Sequence, residues 1–411
     1  MLQLTAVQKI LSDLDETQRE REKQYKYFHQ HPELSMKEDH TAQTIIDILS
    51  EAGIETKRVG KIGVVAEIKN GEGPVVAMRA DIDALPIKEN SGKDYTSTVS
   101  AQDENGKTVG VSHACGHDFH ISSLLGALKA FNEHKDAWKG TYIGVFQPGE
   151  ETAQGAKDLV KNGIMSMIAK PDVYLGQHVL GTIPAGTVGI RSGAFLTTAA
   201  SIRVHIFGKG SHGSMPELSV DPVVVASSIV LKLQTIVSRE LAAKDYAIVT
   251  VGALNAGSKS NIIPDDAELL INTRTYSEDT QKFVHNAIER IVRGECELAR
   301  CPKEPEFTYY DCYPLTNNDQ NASLRVRKAF DEYFGEDSVD ISRASASEDF
   351  SIVANAFKTP YAYWGLGGFA DMQNAPGNHN PAFAPDLQPT LNRGLEAVSY
   401  THLRAHETDS Y

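Results

Sequence analysis

Cys115 and His117, two apart in Val111-Ser112-His113-Ala114-Cys115-Gly116-His117-Asp118, are followed by a carboxylate doublet in Gln147-Pro148-Gly149-Glu150-Glu151. Residues i and i+2 of an extended segment project to the same side, so the thiol and the imidazole can face one metal pair. A Cys-x-His pair suits zinc, manganese or nickel. In a Glu-Glu doublet one carboxylate can bind metal while its neighbour handles protons. Two further histidines, His178 in Gly176-Gln177-His178-Val179 and His379 in Gly377-Asn378-His379-Asn380-Pro381, can complete the ligand set. Taken singly, each signal has a plainer reading: a buried Cys beside a structural His, an exposed acidic loop, a core strand His, a surface turn. Taken together they read as the centre of a metal-dependent hydrolase.

Asp81 and Asp83, in Arg79-Ala80-Asp81-Ile82-Asp83, close an apolar strand. Carboxylates there orient ligand histidines from behind, or simply cap the next element. His113 and Asp118 flank the ligand candidates and can serve likewise, whereas His120 is expected to pack. Further along, Gly208-Lys209-Gly210-Ser211-His212-Gly213-Ser214 presents His212 on a glycine-rich turn. It can donate to an oxyanion or be an exposed loop histidine. Asn261 and Arg274 are polar groups beside apolar strands. Arg274 is apt for a bidentate carboxylate contact, or for a surface salt bridge.

These residues need a scaffold that brings distant segments together. Strand and helix signals alternate over the first third: helical periodicity at 5–30 and 39–53, strands at 62–68 and 75–80, a helix at 121–132, a strand at 141–146, a helix at 155–162 and a strand at 173–179 that His178 ends. That alternation predicts an α/β sheet covered on both faces, with ligands at the carboxyl ends of its strands. From about residue 199 the order becomes strand, helix (221–239), strand, strand, helix (278–294), strand, which is ferredoxin-like. Helix-strand alternation then returns and supplies His379. The expected organisation is a catalytic domain in two parts, 1–192 and 313–398, around an inserted domain at 193–312. From 399 onward a polar tail without an apolar face is expected to fray, and His402 and His406 are not counted as ligands.

The bulk properties narrow the class. A formal charge of −14 argues against nucleic acid as a partner, since binding phosphates would need a basic face. No apolar run approaches the roughly 18 to 20 residues of a membrane span, and the N-terminal segment lacks a secretory pattern. Four cysteines without a paired framework point to a reducing cytoplasm.

The quoted segments together, with His29-Gln30-His31-Pro32-Glu33-Leu34-Ser35, Ser347-Glu348-Asp349-Phe350 and His379-Asn380-Pro381, resemble the amidohydrolase branch of the dinuclear-metal aminoacylase/carboxypeptidase family, across nearly the whole chain. The resemblance implies a phosphorylase/hydrolase-like α/β catalytic domain with an inserted ferredoxin-like α+β lid. It implies two divalent ions held by Cys115, His117, Glu151, His178 and His379, with manganese or zinc expected ahead of nickel or cobalt. Glu150 is then the proton-shuttling base, His212 the oxyanion donor, and Asn261 and Arg274 substrate contacts. The implied substrate is an N-acyl amino acid or short peptide, and the implied assembly a homodimer through the lid, or a tetramer built from it. A dipeptidase or carboxypeptidase, or a deacetylase of N-acetyl-diaminopimelate, would use the same centre. A non-catalytic dimerisation protein would be expected to have lost part of it.

Overall fold

The computed structural model describes residues 2–404, with side chains from 6 to 401. Helices α1 (Leu2–Ile10), α2 (Gln18–Gln30) and α3 (Asp39–Glu51) precede strands β1 (Thr56–Val59), β2 (Gly63–Asn70) and β3 (Val75–Asp81). Helix α4 (His117–Glu133), β4 (Gly140–Gln147), β5 (Val173–Pro184) and β6 (Val188–Ile190) follow. The middle of the chain supplies β7 (Thr198–Phe207), α5 (Pro222–Thr235), β8 (Ala247–Ala256), β9 (Asp266–Thr275), α6 (Glu278–Leu298) and β10 (Glu306–Tyr313). The last part adds α7 (Gln320–Phe334), β11 (Ser338–Asp340), β12 (Tyr361–Phe369) and α8 (Leu387–Arg404). Two compact units result: the residues up to 193 with 317–343 and those from 349 onward, and residues 194–316 with 344–348.

The first unit is built on an eight-stranded sheet in the order β1-β2-β4-β3-β5-β12-β6-β11. Its central run β4-β3-β5-β12 is parallel, so those strands end at one edge. Every residue of β4 is buried, as a strand covered on both faces requires. Ile121, Leu124, Leu125 and Leu128 of α4 join Val76, Met78, Leu175 and Trp364 in one core. Each such side chain contributes on the order of 1.5–3 kcal/mol by leaving water. That packing holds the first residue of α4, His117, in place.

The second unit has an antiparallel sheet ordered β8-β9-β7-β10, the ferredoxin-like arrangement, with α5 and α6 packed against it. Asp221 caps α5 by accepting from the Val223 N–H at 2.9 Å, and Pro222 follows at its first turn. The segment Pro222–Glu240 corrects one expectation, because by length and composition it could cross a membrane. Its Val225, Ile229, Leu233 and Ile236 are instead buried against the sheet. On its outer side Val224 and Leu231, seven apart, are 64% and 73% exposed.

Two other expectations are corrected. The single helix read at 5–30 is interrupted between α1 and α2, where Thr17 Oγ1 donates to the Asp13 carbonyl. The chain is helical beyond 399, as far as Arg404. Tyr400 stacks on Tyr333 with ring centroids 4.9 Å apart, and Thr401 Oγ1 donates to the Ala397 carbonyl. The side chain of His402 and all of His406 lie outside the described residues.

Candidate metal centre

The parallel strands bring the chemistry to their carboxyl ends. Asp81 of β3 pairs with Gln147 of β4, and Arg79 pairs with Gly176 of β5. His178, two residues past Gly176, therefore stands level with Asp81. It does not end its strand as the sequence suggested, because β5 runs on to Pro184 beside β12, where Gly365 pairs with His178. Gly116, at φ +80°, turns the chain into α4. A Cβ there would meet Val179 Cγ1 at 2.2 Å, so only glycine lets Cys115 and His117 approach β5. The 376–385 loop is tied to the same turn, with the His379 N–H donating to the Ala114 carbonyl at 2.8 Å. His379 sits at φ +67°, a left-handed conformation that costs a non-glycine residue energy and recurs at functional sites.

The structure brings Cys115, His117, Glu151, His178 and His379 together. Cys115 Sγ lies 3.5 Å from His178 Nε2. His379 Nε2 is 3.3 Å from Glu151 Oε2, and His117 Nε2 is 3.8 Å from Glu151 Oε1. Two sets of donors, Cys115/His117/His178 and Cys115/Glu151/His379, each fall within 4.8 Å of one another and share the thiol. Glu150, in the same turn as Glu151, is buried. The Glu151 N–H donates to Asp83 Oδ2 at 3.0 Å, and the Gly149 N–H donates to Glu38 Oε1 at 2.7 Å. Burial first, and the charge of Asp83 second, push the Glu38 carboxyl up to about 8.

Behind the donors stands a shell of buried hydrogen bonds. His117 Nδ1 donates to the Asp83 carbonyl at 2.9 Å, and His178 Nδ1 donates to the Val179 carbonyl at 2.8 Å. Each leaves Nε2 for the centre, the usual way a ligand imidazole is oriented. Asp81 lies between Arg79 and His120, with Arg79 Nη1 donating to it at 2.6 Å. Burial alone would raise the Asp81 carboxyl, but the charge of Arg79 and the neighbouring His117 and His120 hold it well below its usual range. Arg79 continues to Gln147 and Asp349, and Asp349 also accepts from Gln147 Nε2 and the Ala156 N–H.

Three placements differ from the sequence reading. Asp118 turns its carboxylate to His29 Nδ1, 2.6 Å away, rather than to a ligand candidate. His120 does more than pack, since its Nε2 accepts from the Val179 N–H at 2.9 Å. His113 is buried with neither ring nitrogen partnered; burial, before any neighbouring charge, lowers it to about 4. Sequence reasoning assigned no role to Arg79, Gln147, Asp349, Glu38 or Asn378. A charged residue inside the apolar run of β3 was the one available signal, for Arg79. Asn378 Nδ2 donates to the Val179 carbonyl at 3.1 Å and lies 3.7 Å from Cys115 Sγ.

In the second unit, His212 pairs with Ile262, next to Asn261. The Ser214 N–H donates to His212 Nδ1 at 3.2 Å, which leaves the proton on Nε2. Arg274, on β9, donates to Ser347 Oγ at 2.7 Å and to Asn272 Oδ1 at 3.1 Å. Burial lowers its guanidinium below the usual value.

The donor set fits a divalent cation. His117 Nε2 and Glu151 Oε1 are buried with no hydrogen-bond partner, a costly arrangement unless a cation sits between them. The local field pulls positive charge inward: hydrogen bonding to Cys115 and then to Glu151 raises His379 to about 10. A ligand imidazole must give up that proton, so a metal competes with it at every pH below about 10. The ligand thiol and the His117 imidazole must also lose their protons, so affinity for a divalent ion is expected to fall by about tenfold or more for each unit that pH drops between 8 and 6. Chelator-competition titrations across that range should show this fall, and a flat profile would contradict ligation by Cys115, His117 and His379 together.

A parallel sheet with a thiol, three imidazoles and paired carboxylates at its carboxyl ends is the architecture of a metal-dependent hydrolase. Residues 77–401 match the family model described as peptidase family M20/M25/M40, and the chain belongs to that family. It is similar to the N-acetylcysteine deacetylase of Bacillus subtilis (strain 168), at 33% identity over 87% of this chain and 90% of that protein. It is also similar to IAA-amino acid hydrolase ILR1-like 2 of Arabidopsis thaliana, at 34% identity over 86% of this chain and 78% of that protein. Among solved structures it resembles a dinuclear metal binding peptidase of the M20 family from Bacillus subtilis, with a TM-score of 0.79 and 29% identity over 96% of this chain and 99% of that one. The chain is a metallo-amidohydrolase, and its family and this neighbour support a centre of two divalent ions.

Proposed function

We propose that the protein hydrolyses the amide bond of N-acyl amino acids, with two divalent ions held by Cys115, His117, Glu151, His178 and His379. The observation that carries this reading is the pair of donor triads sharing Cys115 Sγ, with the buried, unpartnered His117 Nε2 and Glu151 Oε1 facing each other. The substrate class is supported by the names of two relatives, a deacetylase of an N-acetyl amino acid and a hydrolase of acyl-amino acid conjugates. Each name pairs an acyl group with an amino acid. A thiol among the ligands favours softer or borderline ions such as zinc, nickel or cobalt over magnesium, and manganese or zinc, then nickel or cobalt, are the ions we propose. When bound, the ions acidify a water and offset negative charge on the substrate carbonyl. Glu150 takes the proton from the attacking water and returns it to the departing nitrogen. The Asp83 and Val179 carbonyls hold His117 and His178 in the tautomer that frees Nε2. His212 Nε2–H serves the oxyanion, and Asn261 and Arg274 contact substrate. None of the four cysteines is in a disulfide, which suits a cytoplasmic setting. Assaying N-acetyl, N-benzoyl and dipeptide substrates with the manganese, zinc, nickel and cobalt forms tests this reading. Turnover of dipeptides alone would replace it with a dipeptidase.

The assembly we propose is a homodimer through the second unit. Its support is the exposed apolar side of α5, where Val224 and Leu231 are mostly open to solvent. Buried interface anchors cost about 2 kcal/mol or more when lost. Leu231→Asp combined with Val224→Asp should therefore shift sedimentation from dimer to monomer. An unchanged sedimentation coefficient would exclude this surface.

A further inference from the structure

His29, near the end of α2, is 1% exposed and has no part in the chemistry above. Each of its ring nitrogens faces a carboxylate, Nδ1 at 2.6 Å from Asp118 Oδ2 and Nε2 at 3.0 Å from Glu89 Oε1. Carboxylates only accept, so both nitrogens carry protons and the ring is a cation bridging two anions. Tyr25 Oη lies 3.3 Å from Nδ1, and the Tyr95 ring meets His29 edge-on with centroids 5.1 Å apart. Burial opposes the charge, but the hydrogen bonds to Asp118 and then Glu89 outweigh it and raise His29 to about 9.

The two ends of this bridge lead to different sides of the donor cluster. Asp118 directly follows His117 in the first turn of α4, and its other oxygen accepts from the Phe119 N–H at 3.0 Å. Glu89 organises the 89–97 segment: Oε2 accepts from the Ser97 N–H at 2.6 Å, and Ser91 Oγ donates to Oε1. The neighbouring Asn90 N–H donates to the Pro381 carbonyl at 2.7 Å, two residues past His379. A buried ion triad is weak support for stability alone, because desolvation cancels much of its attraction. Its connections, however, run to the two loops that carry His117 and His379.

We propose that His29 is a positioning residue of the metal centre: the Asp118–His29–Glu89 bridge sets the distance between the loop bearing Cys115 and His117 and the loop bearing His379. The inference rests on the ligand set of the proposed function. Groups hydrogen-bonded directly to metal ligands typically cost about 10–100-fold in affinity when removed; His29 acts further out, through the segments that carry the ligands, so the low end of that range is expected. The test uses the chelator-stripped full chain, titrated with zinc against a chromophoric chelator at a temperature below every melting point. His29→Gln and Glu89→Gln are each expected to weaken zinc binding about tenfold or more, and the zinc-induced rise in Tm should shrink in parallel. A purely structural role would lower the Tm of the stripped protein and leave affinity unchanged in both variants, which would overturn the proposal. Glu89→Gln keeps the side chain's shape and the His29–Asp118 pair, so it carries the test if His29→Gln fails to fold. Wild-type protein that binds no zinc would instead overturn the ligand set itself.

Discussion

Glu150→Gln should lose about 10²–10⁴-fold in kcat on an N-acyl amino acid while keeping its full complement of divalent ions. Glu150 is buried in the turn Glu150–Thr152. The backbone on either side is pinned, Gly149 to Glu38 and Glu151 to Asp83. The amide is nearly isosteric with the carboxylate, so the substitution removes proton acceptance and little else. Measuring kcat together with metal content separates the two adjacent acids. Glu151→Gln should show the opposite pattern, a loss of metal that drags activity down with it. Near-normal turnover in Glu150→Gln would refute its assignment as the base.

Cys115→Ala should be at least as damaging, and by a different route. The thiol belongs to both donor triads, so its removal weakens the hold on both ions at once. Outer partners of a ligand already cost about 10–100-fold when lost, and the loss of a shared ligand should exceed that. Metal content and activity should fall together, and excess zinc or manganese should restore part of both. The same thiol predicts inactivation by peroxide in the stripped enzyme and protection by bound metal. Activity that survives both chelation and thiol blocking would contradict a centre built on Cys115.

Much of this architecture could be read from the chain. The alternation of strand and helix signals, with the switch to a ferredoxin-like order, marks the fold class. That Cys115, His117, Glu151, His178 and His379 would lie near one another was legible from their places after strands and in glycine turns, although the strand-end reading failed for His178. Direction was less legible than position. Consecutive residues on a helix point about 100° apart, so Asp118 turns to His29 although it adjoins His117. His120 bonds Asp81 thirty-nine positions earlier, a pairing that arises only from the packing of α4 on the sheet. Arg79, Gln147 and Asp349 meet from three separated segments, and no local pattern marks them as one network. His178 seemed to end a strand because the apolar run thins after Val179. The strand continues because β12 hydrogen-bonds along it as far as Pro184.

The most direct test is anomalous diffraction from crystals of the full chain loaded with manganese or zinc. The expected result is two peaks per chain within coordination distance of Cys115, His117, Glu151, His178 and His379, with Glu150 contributing no ligand. Loaded crystals whose peaks fall elsewhere, or that show none at this cluster, would contradict the account.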